Sequence, residues 1–214
     1  IERPALVLAL GLVAVLLAVE LTRLAVVLHL EVGALLAGAH DPLDIARGFA
    51  TVAEAALQAA MAGAKAEFER THGVVEGSEM VILGLGRLGG EALTHASDLD
   101  IIYLFTGDYA AESTGERPMS ASRYFNRLAQ RVSAALSVPT AEGPLYEVDT
   151  RLRPQGAQGP LAVSVESFSR YQRESAWTWE HMALARARTV AGSFSARARV
   201  EDIIREVLGA TRDP

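Results

Sequence analysis

The sequence predicts an α/β (α+β) fold: a core built on a small mixed sheet, flanked by helices at both ends. Three observations predict it. Apolar residues recur at helical spacing through the first 72 positions. Between residues 80 and 165, short runs rich in β-branched and aromatic residues are separated by glycine-containing turns and loops. Helical patterns then return over residues 166–188 and 195–208. Three segments are expected: a helical segment 1–72, a core 73–192, and the start of a further helical region 193–214.

Residues 4–37 read as one or two apolar helices, and residues 4–19 are wholly apolar. That run is 16 residues long, short of the roughly 20 needed to span a bilayer. Glu20 and Arg23 come directly after it, so a buried helix and no membrane contact are expected. Asp41-Pro42 marks the next helix start, with Asp as N-cap and Pro at the first position. Ile45, Phe49, Val52, Ala56 and Ala60 give that helix one apolar face, and Gly73 ends it. Strands are expected over 80–83, 101–105, 145–152 and 161–165, and a helix over 121–136. Residues 107–120 read as a loop. Residues 166–188 read as one long helix.

Composition narrows the function classes. Half of the 214 residues are hydrophobic, enough for a real core. The net charge of -6 argues against a nucleic-acid binder, which is usually basic. The chain has no cysteine, which removes disulfides and thiolate metal sites and suits the expected reducing cytoplasm. Lys65 is the sole lysine, so arginine carries the positive charge. The first residue is Ile1, not methionine, so the chain is expected to be a piece of a longer protein.

Gly84, Gly86 and Gly89 spell G-x-G-x-x-G directly after a strand, and Asp108 lies near the acidic position of a dinucleotide-binding unit. Too few residues separate the turn from Asp98 for a parallel crossover, which needs roughly 10–12. That reading also leaves Ser97-Asp98-Leu99-Asp100 unexplained. A second reading uses all of these residues. Gly86, Gly89 and Gly90 let the backbone approach a triphosphate, with amides of the following short helix as donors. Asp98 and Asp100 point to one face of the next strand, while Leu99 turns into the core. Adjacent carboxylates repel unless a cation neutralises them, and oxygen-only ligands suit Mg²⁺. Two solvated loop acids are the bland alternative, and the preceding glycine turn favours the metal.

A two-metal phosphoryl site holds ions roughly 3.5–4 Å apart and needs a third carboxylate. Residues 145–152 offer Glu147 and Asp149 on one strand face, with Arg151 and Arg153 continuing it. Asp149 is the expected third acid, as a metal ligand or as a base for the incoming hydroxyl. Glu147 is expected in a structural ion pair. Arg151 and Arg153 are expected either at the phosphates or paired with nearby acids.

These motifs resemble a known family. Gly84-Leu85-Gly86-Arg87-Leu88-Gly89-Gly90 followed by Ser97-Asp98-Leu99-Asp100 resembles the G-x-G-K-L-G-G and S-D-x-D signature of glutamine synthetase adenylyltransferase. Val148-Asp149-Thr150-Arg151-Leu152-Arg153-Pro154 is similar to its V-D-x-R-L-R-P motif. Tyr171-Gln172, Ala176-Trp177-Thr178-Trp179-Glu180-His181 and Ala185-Arg186-Ala187-Arg188 are similar to its later segment. Arg87 departs from the family lysine. The resemblance implies a polymerase-β-type nucleotidyltransferase core that moves AMP from ATP to a tyrosine of glutamine synthetase and so regulates nitrogen assimilation. It implies catalytic metal ligands at Asp98, Asp100 and Asp149, nucleotide contacts at Gly86, Gly89, Gly90, Ser97, Arg151 and Arg153, and two Mg²⁺ ions. It also implies a PII-type signalling protein as regulator. The W-T-W-E-H wording resembles the adenylylating, C-terminal half. The alternatives are the phosphorolytic, adenylyl-removing half and a non-catalytic nucleotide-binding module. Trp177 and His181 share a helix face and are expected in the core, with Glu180 and Arg188 in a buried ion network.

Overall fold

The computed structural model describes residues 38, 41–139 and 143–210. The apolar helices expected over residues 4–37 lie outside the described residues. Among the described residues, no helix is long and apolar enough to cross a membrane.

Helix α1 runs Pro42–His72. The Asp41 carboxylate accepts from the Leu43 amide, and Pro42 occupies the first turn. Gly73 ends the helix at φ +68°, where its amide donates to the Glu69 carbonyl. A Cβ there would stand 2.3 Å from the Gly115 nitrogen, so glycine is also required for space.

The remaining elements are β1 Met80–Gly84, α2 Gly86–Gly89, β2 Leu99–Phe105, α3 Ala121–Ser137, β3 Val148–Asp149, β4 Ala162–Ser164, α4 Val165–Glu174, α5 Thr178–Leu184, β5 Arg188–Ala191 and α6 Phe194–Gly209. The strands form one five-stranded sheet in the order β3-β2-β1-β5, with β4 also paired to β2. β1 runs antiparallel to β2 and β5, whereas β3 and β4 run parallel to β2.

Both faces of the sheet are covered. Leu99, Ile101, Tyr103 and Phe105 pack with α1 and α3, and Ile102 and Leu104 pack with α4 and α6. This alternation explains why β2 reads as a nearly continuous apolar run. Full burial of one such side chain contributes roughly 1.5–3 kcal/mol. The result is a small mixed sheet flanked by helices, as expected for the α/β core.

Three expectations change, and the dinucleotide-binding reading set aside above finds no support in the sheet. The antiparallel pairing of β1 with β2 removes the parallel crossover of a dinucleotide-binding unit, and Asp108 instead accepts from the Ala110 amide in a loop. The strand expected over 145–152 shortens to Val148–Asp149, because the Arg151 amide donates to the Asp149 carboxylate and turns the chain. The helix expected over 166–188 is two helices: α4 ends at Glu174, and α5 restarts where the Glu180 carboxylate accepts from the Trp177 amide. After α5 comes an unexpected strand, β5, seated against β1.

Candidate active site

The glycine turn sits over the start of β2. The Leu85 amide donates to the Asp100 carbonyl at 2.9 Å, which fastens the turn to that strand. Gly86 has φ +53°, and a Cβ on it would stand 2.2 Å from Asp100 Oδ2. Conformation and space both demand glycine there. Gly89 is closed off on its other side, since a Cβ would stand 2.2 Å from the Arg186 carbonyl oxygen and 2.6 Å from that of Gly84. The amides of Gly89 and Gly90 donate to the carbonyls of Leu85 and Gly86, so they serve the turn itself. Ser97 closes a small turn before β2, its hydroxyl bonded to the Thr94 amide and hydroxyl.

Asp98 immediately precedes β2 and Asp100 lies within it, with Leu99 buried between them. The parallel register of β2 and β3 sets Asp149 directly beside Asp100. Each of the three aspartates offers a carboxylate oxygen, and these oxygens lie within 4.8 Å of one another. Burial raises the pKa of Asp100 above its ordinary 3.8, and the charges of Asp98 and Asp149 raise it further. Asp149 shifts the other way: hydrogen bonds from Arg151 lower its pKa. The Arg151 Nε lies 3.0 Å from Asp149 Oδ1 and 2.7 Å from Oδ2, and its terminal nitrogen also reaches Oδ2. Three converging oxygen donors, crowded enough to disfavour ionisation of one of them, fit a hard divalent cation such as Mg²⁺.

The other expected residues divide. Arg151 stays beside the acids with its side chain 81% exposed. Arg153 leaves them, because the chain turns after Asp149, and donates to the carbonyls of Thr150, Ala157, Gly159 and Pro160. It staples the loop 150–160. Glu147 is exposed and forms no ion pair among the described residues, although its carbonyl accepts from the Leu99 amide.

Trp177 is 70% exposed, which corrects its expected core placement, and Trp179 is 56% exposed. The buried members of that segment are Glu180, which accepts from the Tyr171 hydroxyl and the Trp177 amide, and His181, whose Nε2 meets the Gln172 carbonyl. Arg188 pairs with Glu54 and Glu91 rather than with Glu180, and also reaches the Leu88 carbonyl. Residues 186–188 therefore wall the glycine turn. Spacing alone does not reveal this, and the alternating Ala185-Arg186-Ala187-Arg188 pattern is its one signal in the sequence.

The profile of the glutamate-ammonia ligase adenylyltransferase family matches residues 21–203. A bifunctional glutamine synthetase adenylyltransferase/adenylyl-removing enzyme of Mesorhizobium japonicum is 47% identical over 180 residues, which is 84% of this chain and 18% of that protein. Proteins of the same description are 48% identical over 180 residues in Brucella melitensis, and 42% identical over 193 residues in Stenotrophomonas maltophilia. They are covered over 18% and 21% of their lengths by 84% and 90% of this chain. The chain thus spans about a fifth of the length of these relatives. On the profile match and these identities, the chain belongs to the glutamate-ammonia ligase adenylyltransferase family.

Proposed function

We propose that this chain is the nucleotidyltransferase unit of an adenylyltransferase, moving AMP from ATP to a tyrosine hydroxyl of glutamine synthetase. The convergence of Asp98, Asp100 and Asp149 beneath the glycine turn is the observation that carries this reading. In the reaction, a bond forms between the tyrosyl oxygen and the α-phosphorus while the α–β bridging bond breaks. Pyrophosphate leaves with the electron pair, and the phenolic proton passes to solvent.

The three aspartates would hold Mg²⁺. Bound there, the ion would supply Lewis acidity and positive charge for phosphoryl transfer. Hydrogen bonds from Arg151 lower the pKa of Asp149, and a carboxylate of lowered proton affinity suits a ligand better than a base. Gly86 lets the backbone close onto Asp100, so a phosphate seated on the turn lies against the carboxylates. In α2, the amides of residues 86–88 precede the first carbonyl that could accept from them within the helix, leaving them for phosphate oxygens. Gly89 and Gly90 serve by close approach and not as donors. Ser97 orders the segment that delivers Asp98.

The domain reading is a core over 73–192 preceded by helical residues 1–72, with 193–214 opening a further helical region. The adenylylating direction is favoured over the removing one by the Trp177-Thr178-Trp179-Glu180-His181 segment.

The test is incubation of this chain with α-labelled ATP, Mg²⁺ and glutamine synthetase, beside an Asp98→Asn, Asp100→Asn double variant. Label on glutamine synthetase, lost in the variant, is expected. ADP formed from phosphate and adenylylated glutamine synthetase, with no labelling from ATP, would instead assign the removing reaction. Magnesium-dependent ATP binding with neither reaction would leave a nucleotide-binding module.

A further inference from the structure

The segment joining α5 to β5 carries a cation that the site described so far does not use. The carbonyl oxygen of Arg186 lies 2.2 Å from where a Cβ on Gly89 would stand. Its Cδ lies 3.5 Å from the corresponding point on Gly90. The Arg186 side chain therefore runs along the far end of the glycine turn, while Gly86, at the near end, faces Asp100. Helix α2 between them is four residues long, about 6 Å at 1.5 Å per residue.

Neighbouring arginines are engaged. Arg188 pairs with Glu54 and Glu91, Arg151 pairs with Asp149, and Arg87 reaches the Thr94 hydroxyl. Arg186 is exposed, and its guanidinium has no hydrogen-bond or ion-pair partner among the described residues. A free guanidinium is a planar fork that matches phosphate oxygens in a bidentate manner. Here its backbone is wedged against Gly89, so the fork is presented from a fixed base.

We propose that Arg186 is a nucleotide-binding residue that grips the β- and γ-phosphates of the triphosphate, and so the departing pyrophosphate. This rests on the nucleotidyltransferase reading, which puts the α-phosphate at the carboxylates. The turn then runs from the transferred phosphate to Arg186, and the residue sets a preference for triphosphate over monophosphate.

The test is equilibrium binding of ATP, inorganic pyrophosphate and AMP, each with Mg²⁺, to the whole chain and to its Arg186→Gln and Arg186→Lys variants. Loss of a charge-assisted phosphate contact weakens binding about ten- to a hundred-fold. Arg186→Gln is expected to lose that much for ATP and pyrophosphate while AMP binding changes less than about two-fold, by the same reasoning. Arg186→Lys is expected to recover part of the loss, because it restores the charge without the fork. Unchanged ATP binding in Arg186→Gln would overturn the proposal and leave the transferase reading standing. Equal losses for ATP and AMP would also overturn it, since they mark a disturbed turn rather than a lost phosphate contact. Failure of the wild-type chain to bind Mg–ATP would overturn both. If Arg186→Gln fails to fold, the ATP-to-AMP affinity ratio of Arg186→Lys decides: a fall supports the proposal and no change overturns it.

Discussion

Asp100→Asn should make the metal-free chain more stable while removing its response to magnesium. The carboxylate of Asp100 is partly buried, receives no hydrogen bond among the described residues, and faces two other carboxylates. At 4.8 Å, the outer limit of the separation of their oxygens, two unit charges in a water-like dielectric repel by about 0.9 kcal/mol, and closer ones by more. The water-like value applies because Asp98 is exposed and Asp100 is only partly covered. Arg151 offsets the share due to Asp149, leaving a net penalty of about 1 kcal/mol. Relief of that penalty raises Tm by about 2–4 °C in a chain of this size.

The sign with pH is set by the raised pKa of Asp100. A carboxyl whose folded pKa exceeds its unfolded value costs stability above that range, and the cost disappears as pH falls and the group takes up its proton. The advantage of Asp100→Asn should therefore be full near neutrality and shrink on acidification. Magnesium reverses the order of the two proteins. A ligand at ten times its Kd stabilises the wild type by about 1.4 kcal/mol, and the variant should gain little. The assay is thermal unfolding of both proteins in chelator and in a magnesium titration. A variant that melts below wild type in chelator, or gains as much from magnesium, would refute the account of the carboxylate cluster.

Gly86→Ala should lower Tm and abolish the magnesium response, since a left-handed backbone costs a non-glycine residue about 1–2 kcal/mol and the new methyl meets Asp100 Oδ2; thermal unfolding with and without magnesium reads both. Glu180→Ala should destabilise by roughly 1–3 kcal/mol, measured as a shift in denaturant midpoint, because it orphans the Tyr171 hydroxyl and the Trp177 amide. Arg188→Met leaves Glu54 partly buried without its partner, and a loss of about 2 kcal/mol in denaturant unfolding is expected, below the value for a fully buried pair. NADH should show no fluorescence change on mixing with the chain, because the antiparallel β1–β2 pair offers no dinucleotide crossover.

Local rules made much of the fold legible. Asp41-Pro42 and Gly73 bracket α1 because capping and left-handed backbone are properties of single residues. The apolar run of β2 is visible because both of its faces are covered. Where contacts made elsewhere decide the conformation, spacing misleads. The periodicity of 166–188 continues through Ser175 and Ala176, yet Glu180 captures the Trp177 amide and starts a new helix. β5 is invisible for a related reason: four residues carry little pattern, and their conformation comes from pairing with β1.

The site shows the same division. Asp98 and Asp100 are readable as a pair because the two-residue strand period fixes their common face. Asp149 is harder, since it meets them only through a strand two residues long, reached after α3. A one-residue slip of β3 would place a neighbour of Asp149 beside Asp100 and turn the third carboxylate to the other face. The contacts that hold the register are local to β3. The Leu99 amide fastens to the Glu147 carbonyl just before the pair, and the Arg151 amide folds onto the Asp149 carboxylate just after it. Arg151 therefore does two things at once, ending the strand at Asp149 and lowering the pKa of that carboxyl. This double role explains how an arginine with an exposed side chain bears on the carboxylate geometry without entering the core. It also separates Arg151 from Arg153, two residues on, whose donors brace the following loop.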